Sequence, residues 1–209
     1  MANTTTAVPT ETTPAQIKGT KTEQRLVMAY ISESTAYTRY IFYMKQAQKE
    51  GLPVIAQIFQ NTANNELHHG KIFFKYLLGG KVSVDVTADA GVIGTTAENL
   101  AIAASEEQSE GVEEYTKSAQ IAREEGFEDI ASHFEAIASI EKKHEARFRE
   151  YLKRLKEGTL YKREKPITWQ CLVCGYEYVG ITPPEICPAC NHPQSHYMPK
   201  DEEVSSEQY

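Results

Sequence analysis

The sequence carries Glu-x-x-His twice, at Glu66 to His69 and at Glu141 to His144, and the two copies are 75 residues apart. A carboxylate and an imidazole three residues apart lie on one face of a helix, the arrangement that two ligands of one metal ion require. The same offset relates Tyr40 to Tyr115, Glu50-Gly51 to Glu125-Gly126, Ile55-Ala56 to Ile130-Ala131, Phe59 to Phe134, Phe73 to Phe148 and Tyr76-Leu77 to Tyr151-Leu152. A helical hairpin is therefore written twice.

The repeat places charges where apolar side chains belong. Ile55, Phe59, Thr62, Glu66, His69, Phe73 and Tyr76 step by four and three, as does the set Ile130, Phe134, Ile137, Glu141, His144, Phe148, Tyr151 and Leu155. This is the buried stripe of a bundle helix. Leu26, Tyr30, Glu33, Tyr37, Tyr40 and Met44 form a third stripe, with Glu33 inside it. A buried, unpaired carboxylate is strongly destabilising, so such faces need compensating positive charge. No lysine or arginine occupies the stripes, and metal cations would supply it.

A third helix carries Leu100, Ala103, Glu107 and Glu110 on one face. Here the repeat slips: Glu33 to Tyr40 is seven residues, whereas Glu107 to Tyr115 is eight. One inserted residue is commonly absorbed as a π-bulge, which predicts one between Glu107 and Tyr115. The resulting donor set is Glu33, Glu66, His69, Glu107, Glu141 and His144, with Glu110 as a surplus carboxylate. One glutamate from each of two helices and Glu-x-x-His from each of two others is the donor pattern of ferritin-like di-iron or di-manganese bundles.

The formal charge of −7 over 209 residues, with no run of Lys or Arg, argues against a nucleic-acid surface. No apolar run approaches the roughly 18 residues of a membrane span, and the N-terminus lacks a basic region followed by an apolar one. The expectation is a soluble, cytoplasmic protein. Residues 1–15, rich in Thr, Ala and Pro, are expected to be a disordered tail. Residues 16–158 then form the helical domain. Thr20-x-x-Glu23 and Thr95-x-x-Glu98 have the spacing of capping boxes, Pro53 suits a first helical turn, and Gly51, Gly79-Gly80, Gly126 and Gly158 mark helix ends. Residues 81–94 have no helical period and are expected to be a long crossover between the second and third helices.

The helical period stops past Gly158. Residues 159–168 read as a charged tether, and residues 169–209 as a small module built on Cys171, Cys174, Cys187 and Cys190. Two Cys-x-x-Cys knuckles with no cysteine left over favour a tetrathiolate metal site over disulfides, and that geometry suits zinc or a single iron. Cysteine spacing alone leaves both metals open. Aromatic residues at Trp169, Tyr176, Tyr178 and Tyr197 would give the compact core that accompanies iron in rubredoxins.

Together these passages resemble the rubrerythrins: Glu33-Ser-Thr-Ala-Tyr-Thr-Arg-Tyr40, Glu66-x-x-His69, Glu107-x-x-Glu110 with Tyr115, Glu-Glu-Gly-Phe at 124–127, Glu141-x-x-His144 and the C-terminal knuckles. The resemblance spans roughly residues 16–199. It implies a mainly α fold, a ferritin-like four-helix bundle with the long crossover, followed by a small rubredoxin-like β domain. It also implies a non-haem di-iron peroxidase that reduces hydrogen peroxide to water in oxidative-stress defence. The implied cofactors are a di-iron centre and one iron in the four-cysteine site. By the same resemblance, Glu66 and Glu141 would bridge the irons, Glu33 and Glu107 would bind terminally and His144 would be a permanent ligand. One iron would move between His69 and Glu110 with redox state, and Tyr40 and Tyr115 would orient ligands. A rubredoxin or an NAD(P)H-dependent reductase would be the electron donor, and a homodimer the assembly. His68, His133, His192 and His196 match no ligand. Asn191 stands where rubredoxins usually have glycine, a change that leaves the turn intact because asparagine tolerates a positive φ. The alternatives are a ferritin-like ferroxidase that handles iron, and a non-catalytic scaffold with a zinc ribbon.

Overall fold

The computed structural model describes residues 14–200 except residue 78 and residues 88–90; the side chains of Pro14, Ala15 and Glu110 also lie outside the described residues. The expected disordered tail falls largely outside them, and Pro14–Ile17 forms a short helix, α1. The long helices follow as α2 (Lys21–Lys49), α3 (Pro53–Tyr76), α4 (Thr96–Glu106), α5 (Tyr115–Glu124) and α6 (Glu128–Glu157). Between α4 and α5, Glu107–Glu114 is a π-helix, so the inserted residue is absorbed where the eight-residue spacing predicts. No helix or strand is assigned among the described residues of 77–95, which is the long crossover.

Capping follows the repeat. Thr20 Oγ1 accepts the Glu23 N–H at 3.1 Å, while the Glu23 carboxylate accepts the Gly19 N–H at 2.8 Å. At α4 the box closes on itself, with Glu98 accepting the Thr95 N–H at 2.8 Å and Thr95 Oγ1 accepting the Glu98 N–H at 3.3 Å. A second layer is long-range. Glu125 accepts the N–H groups of Lys21 and Thr22 at 3.1 and 2.8 Å, and Glu50 accepts the Thr96 N–H at 3.1 and 3.2 Å. Glu50 and Glu125 are repeat partners, and so are Lys21 and Thr96, so the same cap is made twice with the copies exchanged. Each carboxylate neutralises the positive end of a helix that begins far away in sequence. Gly51 and Gly126, at φ 72° and 87°, end the helices that carry these glutamates.

Contacts divide the chain into two units: residues 1–36, 66–90 and 105–145 in the first, and 37–65, 91–104 and 146–209 in the second. The first has a core of Ile17, Leu26, Ala29, Phe73, Tyr115, Ile130, Phe134 and Ile137 among others. Within it Phe73 stacks on Phe134 with ring centroids 4.8 Å apart, and Tyr115 meets Phe73 at 5.4 Å and Phe134 at 5.7 Å. The second unit contains their repeat partners in the same arrangement: Phe148 to Phe59 at 5.3 Å, Tyr40 to Phe148 at 5.4 Å and Tyr40 to Phe59 at 6.1 Å. Each trio takes rings from both copies of the hairpin, so neither copy closes an aromatic core alone.

The second unit also contains an antiparallel sheet of β1 (Ile167–Cys171), β2 (Glu177–Gly180) and β3 (Tyr197–Pro199), in the order β2-β1-β3. Trp169 on the central strand is fully buried and donates its indole N–H to the Gly180 carbonyl at 2.9 Å. The stretch read as a tether lies along this module. Arg163 stacks its guanidinium 5.1 Å from the centre of the Trp169 ring, its backbone N–H donates to the Ile181 carbonyl at 2.8 Å, and the Tyr161 hydroxyl donates to the Ser195 carbonyl at 3.1 Å.

The long-range cap has a testable pH signature. Burial raises the Glu125 pKa, but hydrogen bonds from Thr22 and Lys21 outweigh it, and the net shift is downward. A lowered folded pKa contributes stability above the unfolded carboxylate range that is lost as pH falls through the folded value. Glu125→Gln is expected to cost about 1 kcal/mol at neutral pH, and the gap from wild type should close in acid. Denaturant midpoints measured across pH check both.

Candidate metal centres

Six carboxylate and imidazole side chains project into the interior of the first unit, each 5% exposed or less: Glu33 from α2, Glu66 and His69 from α3, Glu107 from the π-helix, and Glu141 and His144 from α6. Their ligand atoms form two groups. Glu33, Glu66, His69 and Glu141 lie within 4.8 Å of one another, as do Glu66, Glu107, Glu141 and His144. The carboxylates common to both are Glu66 and Glu141, and each group adds one histidine and one further glutamate. His69 Nδ1 approaches Glu141 Oε1 at 2.8 Å and Glu66 Oε2 at 3.0 Å. His144 Nδ1 approaches Glu141 Oε2 at 2.7 Å and Glu66 Oε1 at 3.3 Å. The two oxygens of each shared carboxylate thus face different histidines, and the imidazole centroids are 6.1 Å apart.

This donor set fits a pair of divalent cations. Both Glu141 oxygens and Glu66 Oε1 are buried and lack a well-aligned hydrogen bond, having only the close approach of the two histidines, a costly state for a carboxylate that a bound ion relieves. Four carboxylates would balance two such ions, and the mixture of imidazole and carboxylate suits iron, manganese or zinc. The electrostatics of the cluster show the same conflict. Burial first, then the Glu66 and Glu141 charges, hold the Glu33 and Glu107 carboxyls well above their usual range. Burial would lower both histidines, yet the surrounding carboxylates raise His69 and His144 well above the ordinary imidazole value. Burial likewise opposes ionisation of Glu141, but His144 and His69 outweigh it and keep that carboxyl low.

Tyr115 donates its hydroxyl to Glu33 Oε1 at 2.6 Å, so an aromatic residue of the core also orients one of the clustered carboxylates. Tyr40 is buried in the second unit's ring trio. The side chain of Glu110 lies outside the described residues. His68 is exposed, and His133 accepts or donates a 2.7 Å hydrogen bond with the Tyr76 hydroxyl, away from the donor set. Two glycines escaped the reading of motifs. A Cβ on Gly70 would stand 3.3 Å from Glu33 Cβ, and one on Gly111 would stand 2.6 Å from both Cβ and Cγ of Glu141. The available signal was glycine inside a helical pattern without a capping role.

The four cysteines converge in the second unit, again within 4.8 Å of one another. Cys171 and Cys190 sulfurs are 3.7 Å apart, as are those of Cys174 and Cys187, and none forms a disulfide. A tetrahedron with metal–sulfur bonds of ~2.3 Å has edges of about 3.8 Å, so the spacing fits one ion. The two knuckles repeat one hydrogen-bond pattern. Gly175 N–H bonds Cys171 O and Cys171 N–H bonds Tyr176 O, both at 2.9 Å. Asn191 N–H bonds Cys187 O at 2.9 Å and Cys187 N–H bonds His192 O at 2.8 Å. Asn191 takes φ 60° where Gly175 takes 77°, so asparagine does supply the left-handed turn. Burial opposes ionisation of Cys187, but the Tyr197 hydroxyl and the N–H groups of Ala189 and Cys190 bring its thiol down to about 6, favouring the thiolate that metals bind.

Metal coordination needs deprotonated carboxylate and imidazole, and Glu33, Glu107, His69 and His144 all hold protons more tightly than free side chains do, so coordination should expel protons. Calorimetric titration of divalent zinc into the bundle, with the four-cysteine site already filled, should show net proton release when buffers of different ionisation enthalpy are compared. Proton-neutral binding would contradict this cluster as the site.

The chain matches the family described as Rubrerythrin over residues 24–152 and 98–170, and the rubredoxin-like domain of rubrerythrin over residues 169–198. It is 44% identical over 183 residues to a rubrerythrin of Porphyromonas gingivalis, covering 88% of this chain and 92% of that protein. It is 42% identical over 181 residues to a rubrerythrin of Nitratidesulfovibrio vulgaris, covering 87% and 95%. Its fold is similar to that of mixed-valent nigerythrin, with a TM-score of 0.58 at 23% identity over 93% of this chain and 98% of that one. The chain therefore belongs to the rubrerythrin family, with a ferritin-like helical domain that carries a di-iron centre and a rubredoxin-like domain whose four cysteines hold one iron.

Proposed function

We propose that the protein is a non-haem di-iron peroxidase that reduces hydrogen peroxide to water, with electrons relayed from the rubredoxin-type iron. The observation that carries this reading is the pair of donor groups sharing Glu66 and Glu141, present in one chain with a tetrathiolate site. When bound, the iron pair supplies the two electrons that divide peroxide, with two protons, into two waters, and the tetrathiolate iron replenishes them one at a time.

The residues of the chain do the rest. Glu66 and Glu141 would be the carboxylates shared by both ions, Glu33 and Glu107 would each serve one ion, and His69 and His144 would complete the two positions. Tyr115 holds Glu33 in place through its 2.6 Å hydrogen bond, and the rings of Phe73 and Phe134 packed on Tyr115 keep that side of the cluster free of bulk water. Tyr40, the repeat partner of Tyr115, takes the same orienting role. Glu110 would offer a hard anionic oxygen in place of the neutral His69 imidazole, since ferric iron favours carboxylate oxygen and ferrous iron accepts imidazole more readily. The electron donor is a rubredoxin or an NAD(P)H-dependent reductase, the working form a homodimer, and the compartment the cytoplasm. No helix among the described residues is long and apolar enough to cross a membrane. Iron storage would leave the four-cysteine module without a task, and a zinc-ribbon scaffold would leave the six buried donors without one.

Rapid mixing of the anaerobically reduced protein with one equivalent of hydrogen peroxide should oxidise the iron pair much faster than an equivalent of dioxygen does. Faster reaction with dioxygen would overturn the reading. Glu110→Ala should lower peroxide turnover at least about tenfold, ~1.4 kcal/mol in the barrier, with little change in melting temperature, and an unchanged rate would remove its assigned role.

A further inference from the structure

Gly111 lies within the π-helix, four residues after Glu107, and is buried. Nothing in its backbone demands glycine by a positive φ, and alanine is the better helix former on propensity. The demand comes from across the interior. A Cβ at this position would stand 2.6 Å from Glu141 Cβ, 2.6 Å from Glu141 Cγ and 3.6 Å from Glu107 Oε2. The first two distances are far inside van der Waals contact, and Cβ is fixed to the α6 backbone and cannot swing aside.

We infer that Gly111 is a positioning residue for the metal pair: its missing side chain lets the π-helix approach α6 closely enough for Glu107 to share an ion with the carboxylate of Glu141. This rests on the reading of Glu141 as a bridging ligand. Of the two elements, α6 is a continuous helix of 30 residues, whereas the π-helix is an eight-residue departure from the α-helical ladder. The π-helix is therefore the part that yields. A methyl group at residue 111 forces it outward and carries Glu107 away from His144 and Glu66, while Glu33 and His69 stand on α2 and α3 and feel the change only through Glu141. The loss is graded: the position built on Glu107 and His144 fails first, and the one built on Glu33 and His69 is weakened. Gly70 makes a milder version of the same approach, 3.3 Å from Glu33 Cβ.

The test uses full-length protein with the four-cysteine site filled and the bundle metal-free, titrated with divalent cobalt, whose absorption reports its coordination and which needs no peroxide chemistry. Wild type should take two cobalt ions per bundle. Gly111→Ala should take one at most with normal avidity, the second weakened at least tenfold, with altered visible absorption. Gly126→Ala serves as the control, because it strains a φ of 87° with nothing within 4 Å of the new Cβ, and it should lose stability yet keep both ions. Two ions bound by Gly111→Ala with wild-type affinity and absorption would overturn the inference. If that variant does not fold, Gly111→Ala combined with Glu141→Gly removes both clashing atoms. Recovery of a folded protein supports the contact, and continued failure overturns it. Should cobalt binding respond as described while peroxide reduction is absent from wild type, the seat stands and the proposed reaction falls.

Discussion

Negative charge inside a helical interior is the interaction on which the rest of this structure depends. Four glutamates and two histidines occupy positions that helical periodicity reserves for apolar side chains, and they are buried as deeply as the leucines and phenylalanines around them. Carboxylates this close disfavour one another's ionisation, so without cations the conflict raises the proton affinity of Glu33, Glu107 and the two imidazoles. Metal ions resolve it differently, and whatever binds the folded arrangement but not the unfolded chain also stabilises the fold. The same six side chains thus link stability, metal affinity and redox chemistry.

Duplication supplies the scaffold at two scales. The 75-residue repeat yields two hairpins whose aromatic trios and glutamate caps are exchanged between copies, so each copy is completed by the other. The knuckles are duplicated at 16 residues, with Cys171, Gly175 and Tyr176 matched by Cys187, Asn191 and His192 in one hydrogen-bond pattern. Where the larger repeat breaks, function concentrates. The extra residue between Glu107 and Tyr115 opens a π-helix beside the shared carboxylate of Glu141, leaving the two metal positions with the same ligand types on backbones of different regularity.

Much of this was legible in sequence because it is periodic. Donor identities follow from steps of three and four along amphipathic stripes, and the π-helix follows from counting seven residues in one copy and eight in the other. The Thr20 capping box was legible only in part: its spacing marks the helix start, but the Glu23 carboxylate bonds the Gly19 N–H because the Thr20 N–H is taken by the Ile17 carbonyl. Glu50 and Glu125 could be seen as repeat partners and not as caps, since their acceptor oxygens serve helix ends 46 and 103 to 104 residues away.

By itself, then, the sequence determined the helices, the ligand types, the two knuckles and the place of the inserted residue, because each is set by local period or local spacing. Only the tertiary structure decided that Tyr115 serves Glu33, that the stretch after α6 docks Arg163 on Trp169, and that Gly111 faces Glu141. Those relations depend on the distance and rotation between packed helices or strands, quantities that no single segment of chain encodes.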